Sequence, residues 1–320
     1  MKSVLMIGFG NVAFKIGDDN RIQKFSHISV LEQLGIKVTA IIDRQPSPQA
    51  LLYAKEKNIP IFHNYQSLLE NDGSYFDLGV FCLPTIRADI SLEILNTMSF
   101  GRVLLEKPVS YNPAIAKSIF SRLKETDTRF TINYQRNWDA GYLKVIEWIQ
   151  KNSVTDAYCR SSTAIAQSGS HMIELILRFF PETEMYYCRP LESKRLIGGE
   201  VKEPGAIILF SDKDKQICAN FDSSLRNEFI FSGTIFSKTG CLYFDEGEGI
   251  IRVTTKQKGN KRIGSEIIYY NDPKILYSWK DEDWLLGCYK DLLSNKNLKP
   301  LQDRSLQVVE IINNVMNEVN

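Results

Sequence analysis

Along the first 130 residues of this 320-residue chain, the spacing of apolar positions changes period in a regular way. Residues 3–7 read as a strand whose run Val4-Leu-Met-Ile7 is continuously apolar, the mark of burial on both faces. Ser26-His-Ile28-Ser-Val-Leu31-Glu-Gln-Leu34-Gly35 then places apolar residues at helical intervals and stops on a glycine. A β-branched run over 38–43 precedes a helix over 47–58, with Pro48 suited to its first turn. The pattern predicts further strands at 59–62, 77–83 and 103–105, and helices at 88–98 and 113–125. Such alternation builds right-handed βαβ units around a parallel sheet.

After about residue 150 the period shortens to that of strands. Runs at 156–164, 184–190, 205–211, 215–222, 227–236, 240–244, 249–256 and 265–271 are separated by turn residues such as Asp212-Lys-Asp214 and Asp245-Glu-Gly247. One helix, 168–180, interrupts them, and two more close the chain near 281–294 and 303–319. The predicted class is α/β with two domains. Residues 1–125 form a doubly wound parallel sheet, and 126–320 an α+β domain on an open, largely antiparallel sheet. The final helix is free to pack back on the first domain.

Composition narrows the function classes. Thirty-nine basic against 38 acidic residues give a net charge of +1, without the basic footprint of a nucleic-acid binder. No apolar run reaches the length of a membrane span, and the first one breaks at Gly8 and Gly10, unlike a signal peptide. The six cysteines are scattered without a Cys-x-x-Cys pair and read as buried free thiols in a reducing cytoplasm. Three separated histidines argue against a metal site.

The chemistry concentrates at strand ends. Gly8-Phe9-Gly10-Asn11-Val12-Ala13 follows the first strand, where missing side chains let backbone approach a pyrophosphate. A ligand-free βα turn explains that motif equally well. Asp43, ending the second strand, suits the two ribose hydroxyls of NAD. It lies 30 residues after Ala13, and the excess falls in 14–25, which reads as an insertion ahead of the first helix. Arg44 can pair with a 2′-phosphate, so NADP stands as the second option. Cys82-Leu83-Pro84 ends a strand beside the expected nicotinamide ribose. Glu106-Lys107-Pro108 sets an amine and a carboxylate in the crevice where such sheets bind ligands. A lysine there can exchange a proton with a secondary alcohol. Taken alone, the pair would more readily be a surface ion pair. Arg136, Asn137 and Trp138 follow the last core strand and suit sugar hydroxyls or a phosphate, or else a hinge.

In that order, Gly8-Phe-Gly10-x-x-Ala13, Ser26 to Leu31, Asp43-Arg44, Asp77 to Pro84, Glu106-Lys-Pro108 and Asn133-Tyr-Gln-Arg136 resemble the Gfo/Idh/MocA oxidoreductases. Gly169-Ser-His171-Met-Ile-Glu174, the strand pair 229–244 and the closing segment 284–316 extend the resemblance over the whole chain. The resemblance implies a Rossmann domain holding NAD or NADP. It also implies a hydride transfer to or from a secondary alcohol or ketone carbon of a sugar, nucleotide-sugar or cyclitol. A homodimer or homotetramer joined through the open sheet face follows from it too. It assigns Lys107 and His171 to catalysis. Gln167 stands where the family usually has an aspartate, and a neutral amide orients a hydroxyl without taking its proton. The stretch from Arg136 to His171 is also shorter than usual, and Arg87 and Ala88 replace a common histidine. These departures leave a non-catalytic NAD(P)-binding regulator or scaffold as the alternative. A methyltransferase using S-adenosylmethionine is a distant third, because it gives Glu106-Lys-Pro108 no role. Glu174 and Arg178, four apart, read as an exposed ion pair.

Overall fold

The apolar runs of the first 132 residues form a six-stranded parallel sheet in a computed structural model. The structure describes residues 3–14, 26–71, 73–166, 168–191, 196–197, 201–202, 204–222, 230–258, 268–279 and 284–318. The elements run β1 (Val4–Ile7), α1 (His27–Gln33), β2 (Ala40–Ile42), α2 (Pro48–Glu56), β3 (Ile61–Phe62) and α3 (Tyr65–Leu69). Then come β4 (Tyr75–Phe81), α4 (Ala88–Thr97), β5 (Ser99–Leu105), α5 (Pro113–Glu125) and β6 (Arg129–Ile132). Strand order is β3-β2-β1-β4-β5-β6, so the winding reverses between β1 and β4. Ligands bind such sheets at the carboxyl ends beside that reversal.

Local chemistry explains where the helices start. Ser26, Ser47, Asn64 and Asn112 accept backbone N–H groups at the starts of α1, α2, α3 and α5, each cap contributing about 1 kcal/mol. Pro48 and Pro113 occupy first-turn positions, where a missing N–H costs nothing. Gly35 ends α1 with φ +67°.

The glycine turn connects to α1 in an unusual way. Phe14 N donates to Gly10 O at 2.8 Å, closing one helical turn. The next carbonyls, Val12 O and Ala13 O, accept from His27 N at 3.2 Å and Ile28 N at 3.1 Å. In an uninterrupted helix those donors would be residues 16 and 17. The helix α1 itself begins at His27, capped by Ser26, and the expected insertion over 14–25 lies, beyond Phe14, outside the described residues.

The chain divides into two compact units. One comprises Met1–Gln135 with Asp283–Val309, the other Arg136–Glu282 with Glu310–Asn320. The second unit opens with α6 (Ala140–Lys151), β7 (Val154–Ser161), α7 (Gly169–Phe179), β8 (Glu184–Leu191), β9 (Leu196–Ile197) and β10 (Val201–Lys202). Seven strands follow: β11 (Gly205–Asp212), β12 (Lys215–Phe221), β13 (Phe231–Ser237), β14 (Gly240–Asp245), β15 (Ile250–Lys258), β16 (Ile268–Tyr270) and β17 (Lys274–Ser278). Its main sheet runs β16-β15-β14-β13-β7-β12-β11-β8, with β17 also on β15. Only the β7–β12 pair of that sheet is parallel among the described residues. Strands β11 to β14 alternate buried and half-buried residues, so one face carries the core. Tyr142, Phe179, Phe244 and Trp279 form an aromatic cluster there.

The closing helices are α8 (Trp284–Leu293) and α9 (Lys299–Asn317). In the first unit α8 packs on α1, β5 and β6. Arg129 of β6 donates to the carbonyls of Asp291 and Leu292, both at 2.9 Å, meeting otherwise unpaired groups at the end of α8.

The α/β class and both sheet types match the hydrophobic pattern, with some corrections. Helices α3 and α6 and strands β9, β10 and β17 were not predicted, β5 begins four residues earlier than 103, and α9 starts at 299 rather than 303. Tyr142 and Val145 of α6 are fully buried, but Gly141 and a mixed polar face blur the periodicity before them. All six cysteines are free, yet only Cys159 and Cys288 are buried; the other four are partly exposed. Burial pushes the Cys159 thiol up to about 12, which keeps it protonated and unreactive.

Candidate cofactor and catalytic site

Five chain segments converge at the carboxyl ends of the parallel strands in the first unit. After β1, Gly8 adopts φ +81°, and its N–H reaches Ile42 O at 2.8 Å. A β-carbon there would lie 2.9 Å from the Cys82 carbonyl oxygen, so only glycine lets the ends of β1 and β4 approach this closely. Gly10 differs: a β-carbon would meet nothing within 4 Å, and Gly10, Asn11 and Val12 are exposed. The turn is tight underneath and open above, as a backbone cradle for a pyrophosphate requires. Phe9 faces inward and stacks on Phe14 at 5.0 Å.

Asp43 stands one residue beyond β2. Its Oδ2 accepts from Phe9 N at 2.6 Å and its Oδ1 from Gln45 N at 2.7 Å. A carboxylate has about four acceptor positions, so each oxygen keeps one for a ribose hydroxyl. These backbone donors fix the carboxylate against the glycine turn. Arg44 is exposed beside it, while Cys82 and Leu83 are half-buried and Pro84 exposed after β4. Burial raises the Cys82 thiol well above its ordinary range, with the Glu106 charge adding to this, so Cys82 presents a protonated side chain.

Glu106 and Lys107 follow β5, and the Lys107–Pro108 bond is cis. Glu106 is not at the surface; its side chain is only 13 % exposed. Asn133 Nδ2 donates to its Oε1 at 2.6 Å, and His27 Nε2 lies 2.9 Å from the same oxygen. The backbone N–H of Lys107 reaches Oε2 at a long 3.3 Å. Burial alone would raise the Glu106 carboxyl. The donors His27 and Asn133 and the Lys107 charge outweigh it and hold the group below the usual carboxylate range. The result is an ionised carboxylate beside a half-buried lysine. Pattern reading missed His27 and Tyr289; a histidine on the buried stripe of α1, which must find polar partners, was the available signal.

The second unit holds the remaining candidates. His171, on α7, is 6 % exposed. Three residues on, Glu174 is fully buried, and its Oε2 accepts from Asn137 Nδ2 at 2.8 Å. Glu174 is therefore not half of an exposed ion pair. The whole of α7 except Arg178 is buried, so its polar side chains lie inside the unit. Arg136 is also buried. Its Nε and NH2 groups donate to Glu246 at 2.5 and 2.7 Å, Tyr142 Oη donates to the same carboxylate at 2.5 Å, and the guanidinium lies 3.9 Å from the Phe231 ring centre. Trp138 is half-buried. Gln167 lies outside the described residues. Among the described residues, no three His, Cys, Asp or Glu side chains gather to hold a metal, and no helix is long and apolar enough to cross a membrane.

The glycine cradle, the placed Asp43 and the Glu106-Lys107 pair all belong to one parallel sheet. Residues 2–134 match the model of an oxidoreductase family with an NAD-binding Rossmann fold, GFO_IDH_MocA. This segment is a Gfo/Idh/MocA NAD(P)-binding domain. Solved structures resemble the chain over nearly its full length. KijD10, a 3-ketoreductase from Actinomadura kijaniata in complex with NADP and TDP-benzene, is 15 % identical with a TM-score of 0.72, covering 98 % of this chain and 97 % of that one. The yvaA protein of Bacillus subtilis is 12 % identical with a TM-score of 0.71, covering 100 % and 99 %. At such identity the likeness establishes the fold. No protein of curated function matches the chain by sequence.

Replacing Gly8 by alanine should test the Gfo/Idh/MocA cradle directly. A left-handed backbone costs a non-glycine residue about 1–2 kcal/mol, and here the β-carbon also meets the Cys82 carbonyl. Gly8→Ala should lower the urea midpoint and weaken NADH binding, read by fluorescence, by about tenfold or more. Unchanged NADH affinity would remove this turn from the cofactor site.

Proposed function

We propose that this protein is an NAD(P)-dependent oxidoreductase. It acts on a secondary alcohol or ketone carbon of a sugar, nucleotide-sugar or cyclitol. The supporting observation is Lys107, held next to a buried, ionised Glu106 at the carboxyl end of β5, on the sheet that carries the glycine cradle and Asp43. The nicotinamide, when bound, supplies or accepts the hydride. Lys107 gives its ammonium proton to the substrate oxygen in reduction and takes it back in oxidation. That oxygen alone changes its protonation, so one amine completes the proton balance.

The remaining roles belong to the same reading. Gly8, Phe9, Gly10, Asn11 and Val12 hold the pyrophosphate, Asp43 the adenosine ribose, and Cys82, Leu83, Pro84 and Glu106 the nicotinamide half. His171 hydrogen-bonds the reacting oxygen and Gln167 orients a neighbouring hydroxyl. Asn137 and Trp138 contact substrate, and Arg136, tied to Glu246, anchors the segment that presents them. KijD10, with its TDP compound and NADP, makes nucleotide-sugars the first substrates to try. One feature favours a second reading. Gln167 in place of the family's usual aspartate suits a non-catalytic NAD(P)-binding regulator, which would bind NADH and turn over nothing.

NAD is the preferred cofactor in this reading. Asp43 repels a 2′-phosphate, and Arg44, exposed beside it, offsets part of that penalty. The protein is also read as a cytoplasmic homodimer or homotetramer. The half-buried face of the second sheet carries Tyr187, Leu209, Cys218, Tyr158, Thr234 and Tyr243 in one cross-strand row. Tyr158 and Tyr187 are 41 % and 47 % exposed, an apolar row that a second copy would cover.

Three measurements test these assignments. Lys107→Ala should keep NADH binding within a few-fold while turnover on a panel of keto-sugar nucleotides and cyclitols falls by about 10²–10⁴; near wild-type turnover would sink the role of Lys107. Asp43→Ser should weaken NADH by roughly tenfold and tighten NADPH, whereas a wild type that already prefers NADPH would show that Arg44 dominates. Light scattering at micromolar concentration should give a dimer or tetramer, and Tyr158→Arg a monomer; a monomeric wild type would refute assembly through this face.

A further inference from the structure

His27 is the one fully buried histidine, with both ring nitrogens engaged inside the first unit. Nε2 lies 2.9 Å from Glu106 Oε1, and Nδ1 lies 2.7 Å from the Tyr289 hydroxyl. An ionised carboxylate only accepts hydrogen bonds, so the Nε2 side must carry the proton. Burial raises the Tyr289 phenol well above its ordinary value, with Cys82, Cys288 and Glu106 adding to this, so Tyr289 keeps its proton and can donate it to Nδ1. The contacts then run from Tyr289 through His27 to Glu106, with Asn133 as a second donor to the same oxygen. Four elements or their ends meet in this chain: α1, β5, β6 and α8.

We propose that His27 is a positioning residue which, locked by Tyr289, holds the Glu106 carboxylate ionised and in place beside Lys107. This rests on the proton-carrying role of Lys107 argued above. The geometry supplies the reason for a histidine here. Leucine would fill much of the volume but leave the buried carboxylate with one donor fewer and the Tyr289 hydroxyl facing an apolar group. The loss of a donor favours the neutral acid. The other titratable groups around Glu106 are the Cys82 and Cys288 thiols, both held protonated by burial, and Lys107. Only His27 and Lys107, then, bring a side-chain N–H or a positive charge from a titratable group. His27 touches no reacting atom in this scheme; it sets the partner of the residue that does.

The test reads Glu106 itself, in the full chain and without substrate. Infrared difference spectra, recorded as pH is lowered, report the carbonyl stretch of a protonated carboxylic acid, and the Glu106→Gln variant identifies the band. In His27→Leu the Glu106 band should appear at a pH higher by about 1–3 units than in wild type. His27→Gln, whose amide can donate to Glu106 and accept from Tyr289, should return most of that shift. Tyr289→Phe should move it in the same direction by less, and this variant decides the matter if His27→Leu does not fold. An unmoved band in His27→Leu, or in Tyr289→Phe where that is the deciding variant, would overturn the proposal, as would His27→Gln titrating like His27→Leu. Turnover by Lys107→Ala bears only on the reaction, so its failure and the failure of this inference are separately visible.

Discussion

A carboxylate taken out of water must be met by donors or it will not stay charged, and Glu106 is where this protein meets that demand. The carboxylate sits at the end of β5 with 13 % of its side chain exposed. Its donors come from elsewhere in the chain: His27 from the start of α1, and Asn133 from just past β6. His27 in turn needs Tyr289, and Tyr289 is on α8, more than 150 residues after β6. One buried charge therefore couples the carboxyl edge of the parallel sheet to a helix from the far end of the sequence. Arg129 reinforces the same join by capping the end of α8 from β6. The result is a lysine whose neighbour has a fixed charge and a fixed place.

The second unit applies the same rule to other charges. Arg136 and Glu246 are buried together, their paired bonds supplemented by Tyr142 and by the face of Phe231. A pair of this kind is costly to break, about 3–5 kcal/mol when one partner is removed, because the survivor stays buried and uncompensated. Glu174 is likewise internal and held by Asn137. Asp139 caps α6 through Tyr142 N and accepts from Trp279 with both oxygens. Residues 136, 137 and 139 thus each anchor to a different partner within the second unit.

What could be read from sequence follows from which signals are local. The first sheet was legible because its strands are continuous apolar runs and its helices carry serine, asparagine and proline at their starts. Gly8 and Gly10 marked the cradle by absent side chains, and Glu106-Lys107 lay directly after an apolar run. The buried partners were not legible. His27 and Tyr289 are 262 residues apart, and nothing in the local pattern of either names the other. Glu174 looked like part of a surface pair because i, i+4 spacing with Arg178 fits an exposed helix face. Tertiary burial of α7 decides otherwise. Helix α6 escaped notice because its buried positions are few.

Fold and chemistry are carried by different residues here, and that separation limits what structural likeness can say. Chains only 12–15 % identical share this architecture over nearly their whole length, so the sheets tolerate almost complete replacement of their side chains. The cradle tolerates much less, since a β-carbon at Gly8 would displace the carbonyl of Cys82. Cofactor binding is thereby tied to backbone geometry, which persists with the fold. Arg136 and Asn137 of the second unit are held instead by side-chain pairs, with Glu246 and Glu174. The same separation lets one scaffold keep its nicotinamide chemistry while its substrates diverge.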